Sequence, residues 1–147
     1  MKKLVVFLTA IVLTASSWAT PSAIENEKII AAFEKEFTGA TEVQWSPGKD
    51  EVFLATFLLN NEKMRAWFTT EGDVVAIQRD VKKEQMTYLS AKTLMTLEEQ
   101  QKIISIAEVN KDGDMYYLVH TENDKYKNVY KLTAAGSLSR IDKKKKK

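Results

Sequence analysis

Few groups in this chain could do covalent chemistry. His120 is the single histidine, and cysteine is absent. Nucleophilic or acid–base catalysis needs a base within reach of a nucleophile and a third group to orient it. His120 sits within the alternating stretch Tyr116-Tyr117-Leu118-Val119-His120, with no marked nucleophile beside it, and reads as an exposed strand residue. Asn110-Lys111-Asp112-Gly113-Asp114 has a faint likeness to a calcium loop. Its ligand spacing is wrong and no Glu closes it, so a hairpin turn explains it better. No Cys/His metal spacing, glycine-rich phosphate loop or nucleotide fingerprint occurs. The expectation is a protein with no catalytic residues, metal or cofactor: a platform, not an enzyme.

What remains is aromatic and apolar, and strands must position it. Four short segments, about 41–46, 51–59, 62–69 and 74–79, are divided by Pro47-Gly48, Asn60-Asn61 and Glu71-Gly72. Four more, about 102–110, 114–122, 126–133 and 137–142, are divided by Asp112-Gly113, Asn123-Asp124 and Ala135-Gly136. Gly, Asn and Asp accept the positive φ of tight hairpins. A two-residue turn at Asn60-Asn61 pairs Phe57 with Met64, Ala55 with Ala66 and Phe53 with Phe68 on one face. Leu54 with Trp67 and Thr56 with Arg65 then fall on the other. Likewise Val119 faces Tyr130 and Tyr117 faces Leu132 inside, while Leu118 with Lys131 and His120 with Val129 lie outside. A one-residue slip would exchange the faces, so the pattern fixes the register.

This alternation separates two sets. Phe33, Phe37, Trp45, Phe53, Phe57, Phe68, Tyr117 and Tyr130 read as core. The outer face carries Leu54, Arg65, Trp67, Tyr116, Leu118, His120, Val129 and Lys131. It is richer in aromatic and apolar groups than a solvated face requires, and such patches often mark binding surfaces. Leu54, Arg65, Trp67, Tyr116, Leu118, His120 and Lys131 are therefore the candidate partner-binding residues. The competing reading is cross-strand pairing that merely stiffens the sheet.

Helices are expected to cover the inner face. Ser22 and Glu25 form a capping box, followed by an apolar stripe of Ile29, Ile30, Phe33 and Phe37 and a stop at Gly39. Met86, Leu89, Leu94 and Leu97 suggest a broken helix within 85–101. Shifting residues 43–79 by 64 positions lays them on 107–143 without a gap: Asp50 falls on Asp114, Thr69 on Thr133 and Gly72 on Gly136. The expected fold is α+β: two tandem units, each a helix plus a four-stranded antiparallel meander, forming one curved sheet with helices on one face. The expected domain, 20–142, holds two repeats, about 22–79 and 85–142.

The start of the chain reads as a secretory signal peptide, residues 1–19. Lys2 and Lys3 precede an apolar run from Leu4 to Ala15, and Ser17-Trp18-Ala19 puts small residues before the cut. The run is too short to span a membrane as a helix, so no transmembrane segment is expected after cleavage. Removing 19 of the 147 residues leaves 128, a single-domain length that must hold without disulfides. The mature chain keeps 20 basic residues against 20 acidic ones, and five of the basic ones are Lys143–Lys147. The folded body is then 15 against 20, which argues against a nucleic-acid surface. The run 143–147 reads as a solvated, disordered tail.

An exported chain with a helix, then Val43-x-Trp45, Phe53-x-Ala55-x-Phe57, Ala66-x-Phe68 and a Gly72 turn resembles the PepSY-like, β-lactamase-inhibitor-protein-like family over about 24–143. The resemblance implies a sheet whose open face and hairpin loops grip an enzyme, as in the inhibitors, or a module that restrains a secreted peptidase. This chain lacks the inhibitors' disulfides, and its tip Leu59-Asn60-Asn61-Glu62 matches no inhibitory loop. The expected function is a non-enzymatic, periplasmic or secreted, inhibitor-like binding module that docks a protein or peptide, such as a secreted enzyme, on its open sheet face. The alternative is a small-ligand carrier with a groove between helices and sheet.

Overall fold

Strand follows strand along this chain, and each pairs with the next. The computed structural model describes residues 25–147; the expected signal peptide and the Ser22 cap lie outside them. Helix α1 (Glu27–Glu36) begins where the Asn26 side chain accepts bonds from the Lys28 and Ile29 amides at 3.1 and 3.4 Å. Asn26, not Ser22, is thus the N-cap. Glu27 in the first turn and Lys35 in the last suit the helix dipole. Strands β1 (Thr41–Pro47), β2 (Phe53–Leu59), β3 (Glu62–Phe68) and β4 (Val74–Asp80) come next. A 3₁₀ turn (Lys83–Gln85) leads to α2 (Tyr88–Glu98), whose cap Thr87 accepts from the Ser90 amide. Strands β5 (Lys102–Lys111), β6 (Asp114–Glu122), β7 (Tyr126–Thr133) and β8 (Leu138–Lys145) complete the chain.

The expectation of two tandem helix-plus-four-strand units is overturned. The strands make one eight-stranded antiparallel sheet in the order β1 to β8. Among the described residues there are two short α-helices, of 10 and 11 residues, which makes a mostly-β α+β fold. The physical reason lies at the β4–β5 seam. A regular ladder from Ala76↔Lys111 to Asp80↔Ala107 satisfies the backbone groups that two separate units would each expose along an edge. The lysine run is also corrected. Lys143–Lys145 belong to β8, paired with Asn128, Lys127 and Tyr126, so the ladder holds backbone that composition alone assigns to solvent.

The hairpin registers follow the turn chemistry. Asn60 and Asn61 both have positive φ, as do Asp112 and Gly113, which suits the twist of two-residue hairpins. Phe57↔Met64, Ala55↔Ala66 and Phe53↔Phe68 pair as the alternation requires, as do Val119↔Tyr130 and Tyr117↔Leu132. The five-residue loop after Pro47 sets Trp45 opposite Ala55 on the inner side.

Two cores share this inner face. Under α1, Ile29, Phe33, Phe37, Ala55, Phe57, Ala66 and Phe68 are buried. Their rings meet at 4.7–6.3 Å between centroids, largely edge-on or tilted as the ring quadrupoles prefer. Under α2, Val81, Leu94, Leu97, Ile106, Tyr117, Val119 and Leu132 are buried. A charged strip runs between the two. Arg79 on β4 grips Glu108 on β5 through a fork, Nε–Oε1 2.9 Å and Nη2–Oε2 3.2 Å, and Nη1 lies 3.5 Å from Glu62. The hydrogen bond to Glu108 raises Arg79 above its ordinary guanidinium value, so the cation is fixed and the seam is pinned.

Candidate functional site

The outer face is set by the same registers that build the core. Leu54 opposes Trp67, Trp67 opposes Ala76, and Ala76 opposes Lys111. One row along, Arg65 opposes Gln78, Gln78 opposes Val109, and Val109 opposes Tyr116. Ala107, Leu118 and Lys131 form the next row. The small side chain of Ala76 thus lies beside Trp67, with Tyr116 and Leu118 across the β4–β5 seam. The difference in side-chain size leaves a groove of about 430 Å³. Its floor is apolar: Trp67, Val75, Ala76, Val109, Tyr116 and Leu118 line it. Lys49, Gln78 and Lys111 supply polar ends.

The candidate residues divide. Trp67, Tyr116 and Leu118 share the groove. Leu54 flanks it as the cross-strand partner of Trp67. Arg65 is turned to Asp80 at 3.6 Å, and Lys131 holds its Nζ 4.3 Å above the Tyr116 ring. That cation–π contact fixes the ring at the groove wall, at about 0.5–1 kcal/mol for an exposed pair. His120 is elsewhere. It is exposed and borders a separate depression of about 410 Å³ with Ser105, Glu122, Asp142 and Lys144. Ser105 opposes His120, and Asp142 lies two strands further on, across Val129. Strands lie about 4.8 Å apart, which puts the Asp142 backbone roughly 10 Å from that of His120. Among the described residues no three His, Asp or Glu side chains converge.

Sequence reasoning missed Lys49, Val52, Val75, Ala76, Gln78, Val109 and Lys111. Lys49 and Val52 come from the β1–β2 loop, where Asp50 and Glu51 take positive φ. Val75 stands at an irregularity between the Trp67↔Ala76 and Phe68↔Val74 pairs. The others sit at the β4–β5 seam, whose strands are linked by the α2 crossover and not by a tight turn. The alternation within β5, with Ala107 and Val109 falling opposite the inner Ile106 and Glu108, was the one available signal.

A third recess, about 480 Å³, lies on the inner side at the sheet edge, between α1 and β1. The rings behind it are packed against one another, so it is an open channel and not a chamber within the core.

No family model matches the chain, and no curated protein matches it either. Solved structures do. A Bacteroides eggerthii protein provisionally named periplasmic aligns with a TM-score of 0.73 at 16% identity, over 84% of this chain and 90% of its own. A DUF2874 family protein from Bacteroides ovatus gives 0.71 at 19% identity, over 86% and 88%. A BLIP-like protein from Bacteroides fragilis gives 0.68 at 14% identity, over 88% and 89%. The chain therefore has a BLIP-like fold. The PepSY-like side of the resemblance rests on the short sequence motifs alone. Among the described residues no helix is long and apolar enough to cross a membrane.

Proposed function

We propose that this protein is a periplasmic or secreted, non-enzymatic, inhibitor-like binding module that docks a protein or peptide on the outer face of its sheet. The observation that carries this reading is the groove over the β4–β5 seam, walled by Trp67, Tyr116 and Leu118. Trp and Tyr are the residues that most often anchor partners, because each offers a large rigid area at small entropic cost. Lys131 pre-orients Tyr116 from the free protein onward, which lowers the ordering cost of binding. The periplasmic name of one structural neighbour and the BLIP-like name of another support the reading at the level of fold. Leu54, Arg65 and Lys131 would form the rim, and His120 a more distant contact.

The test is recovery of crosslinked partners from periplasmic extract by wild type and by Trp67→Ala/Tyr116→Ala. The double variant is expected to recover at least tenfold less while keeping its circular dichroism. Equal recovery from a folded variant would move the binding surface elsewhere. A small-ligand carrier would have to use the channel between α1 and β1. That reading is weaker, because the channel is open along a strand edge and would leave a small apolar ligand half in water.

A further inference from the structure

An open sheet has two edges, and this one treats them in opposite ways. Strand β8 ends the sheet with Arg140, Lys143, Lys144 and Lys145, a charged fringe that discourages another strand from pairing. Strand β1 ends it with Thr41-Glu42-Val43-Gln44-Trp45-Ser46-Pro47, which has no Lys or Arg. Among the described residues β1 pairs with β2 alone; beyond a bulge between Thr41 and Gln44, where Glu42 has positive φ, the outward N–H and C=O groups of the regular stretch Gln44–Ser46 are left without a strand partner. Val43 is 36% exposed. Beside that bare edge runs the 480 Å³ channel, floored by Phe33, Phe37, Val43 and Trp45 and bordered by Ile30 of α1. Its one charged lining residue is Glu34.

These features meet in one geometry. A strand laid antiparallel or parallel to β1 would sit about 4.8 Å beyond it. Alternate side chains would drop under α1 onto Phe37 and Trp45, and a basic residue among those near the helix would face Glu34. Pro47 lacks an N–H and would end the added ladder at Ser46. We propose that the α1–β1 channel is a second binding site, which takes an extended segment of a partner, apolar with basic residues, as a ninth strand. Main-chain bonds would supply affinity and the channel would choose the side chains. The bare backbone wall favours a polypeptide over a small apolar molecule, which could not use it. The carboxylate of Glu34 selects the sign of the partner's charge.

The probe is an acetylated, amidated octapeptide whose alternate, inward-facing positions are Val, Val, Lys and Val with Thr between them (the Val/Lys peptide), with Glu in place of that Lys in its charge-reversed counterpart (the Val/Glu peptide). The mature chain is titrated with each and followed by peptide anisotropy and amide hydrogen exchange. Saturable binding of the Val/Lys peptide is expected, with exchange slowed at alternate amides of Val43–Ser46. Val43→Lys, at a half-open position, should weaken it at least tenfold. Glu34→Lys should weaken the Val/Lys peptide and strengthen the Val/Glu peptide, which loss of folding could not do. The proposal is overturned by any of four results. These are no saturation up to about 1 mM; equal binding by Val43→Lys; protection that appears around Trp67 and Tyr116 instead of β1; or sedimentation showing that the edge is already used by a second copy. Only the third would favour the outer-face site, so the two readings fail separately.

Discussion

The two cores beneath the helices are built on different physics. The α1 core is a cluster of aromatic rings. Phe57 meets Phe33 at 4.9 Å and Phe37 at 4.7 Å, and Trp45 closes its side against Phe33 at 5.3 Å. The α2 core is aliphatic around Tyr117 and ends in a polar knot. Gln101 donates to the Tyr130 hydroxyl at 2.7 Å and accepts from Thr121 at 2.7 Å and from Asn128 at 2.8 Å. The helices dock accordingly. Helix α2 is fixed by Thr87 Oγ1, Ser90 Oγ and Thr93 Oγ1 donating to the carbonyls of Ala134, Thr133 and Gly136 at 2.8–2.9 Å. At α1 the corresponding turn receives one such bond, from Asn26 Nδ2 to the Thr70 carbonyl, and an exposed Lys28–Glu71 pair. Ring packing depends chiefly on volume, with a weak edge-to-face preference. Hydrogen bonds are directional, and a buried one is costly to lose.

The contrast breaks most visibly at Phe57, which is 1% exposed. Phe57→Ala should cost about 3–5 kcal/mol in urea unfolding, because the rings around it cannot collapse into the void. Since β4 and β5 are joined in one sheet, the transition should stay single. A separate early melt of the first half would show the two cores to be independent.

Gln101→Leu comes next, at about 1–3 kcal/mol, since the buried Thr121 and Asn128 side chains and the half-buried Tyr130 hydroxyl lose their shared partner. Replacing Gln101, Thr121 and Asn128 together by apolar residues should recover part of that loss; if it does not, the knot is not acting through satisfied polarity.

Gly72→Ala and Gly136→Ala test what the halves have in common. Both glycines hold positive φ, and a side-chain carbon would sit 3.1 Å from the Lys28 carbonyl oxygen or 3.0 Å from that of Leu89. Each change should cost about 1–2 kcal/mol, and a difference beyond about 1 kcal/mol between them would mean that one helix is free to shift. Tyr117→Phe removes only the hydroxyl that accepts from the Thr87 amide at 3.2 Å, and should cost about 0.5–1.5 kcal/mol.

The smallest effect expected is a null one with pH. Arg79 is shifted upward, so its contribution is complete below its unfolded value and is lost only as pH climbs through the higher folded one. The cost of Arg79→Met should therefore be the same at neutral and mildly alkaline pH.

Much of this was legible in the residues. Asn60-Asn61 and Asp112-Gly113 announce two-residue hairpins, and the alternation from Phe53 to Phe57 then leaves one register that buries the rings. Helix α2 was less legible, because Ser90, Thr93 and Thr96 interrupt its apolar face. Ser90 and Thr93 point at the Thr133–Gly136 turn, contacts that no periodicity encodes. The β4–β5 seam was not legible, because no turn joins its strands and Ala76 and Ala107 carry little signal. That is why Trp67, Tyr116 and Leu118 could be named while the groove between them could not. The lysine run misled, because composition speaks of solvation and not of the ladder with β7.

The unbroken strand order has a kinetic corollary. Every rung joins stretches of chain that are neighbours in sequence, and even the α2 crossover links strands that follow one another. Loop closure is therefore short at every hairpin and longer only across 81–101 between β4 and β5, and no early strand must wait for a late one to arrive. A polypeptide of this layout can leave a ribosome or a narrow pore unfolded and zip up progressively from its leading end, with no covalent crosslink to hold the intermediate.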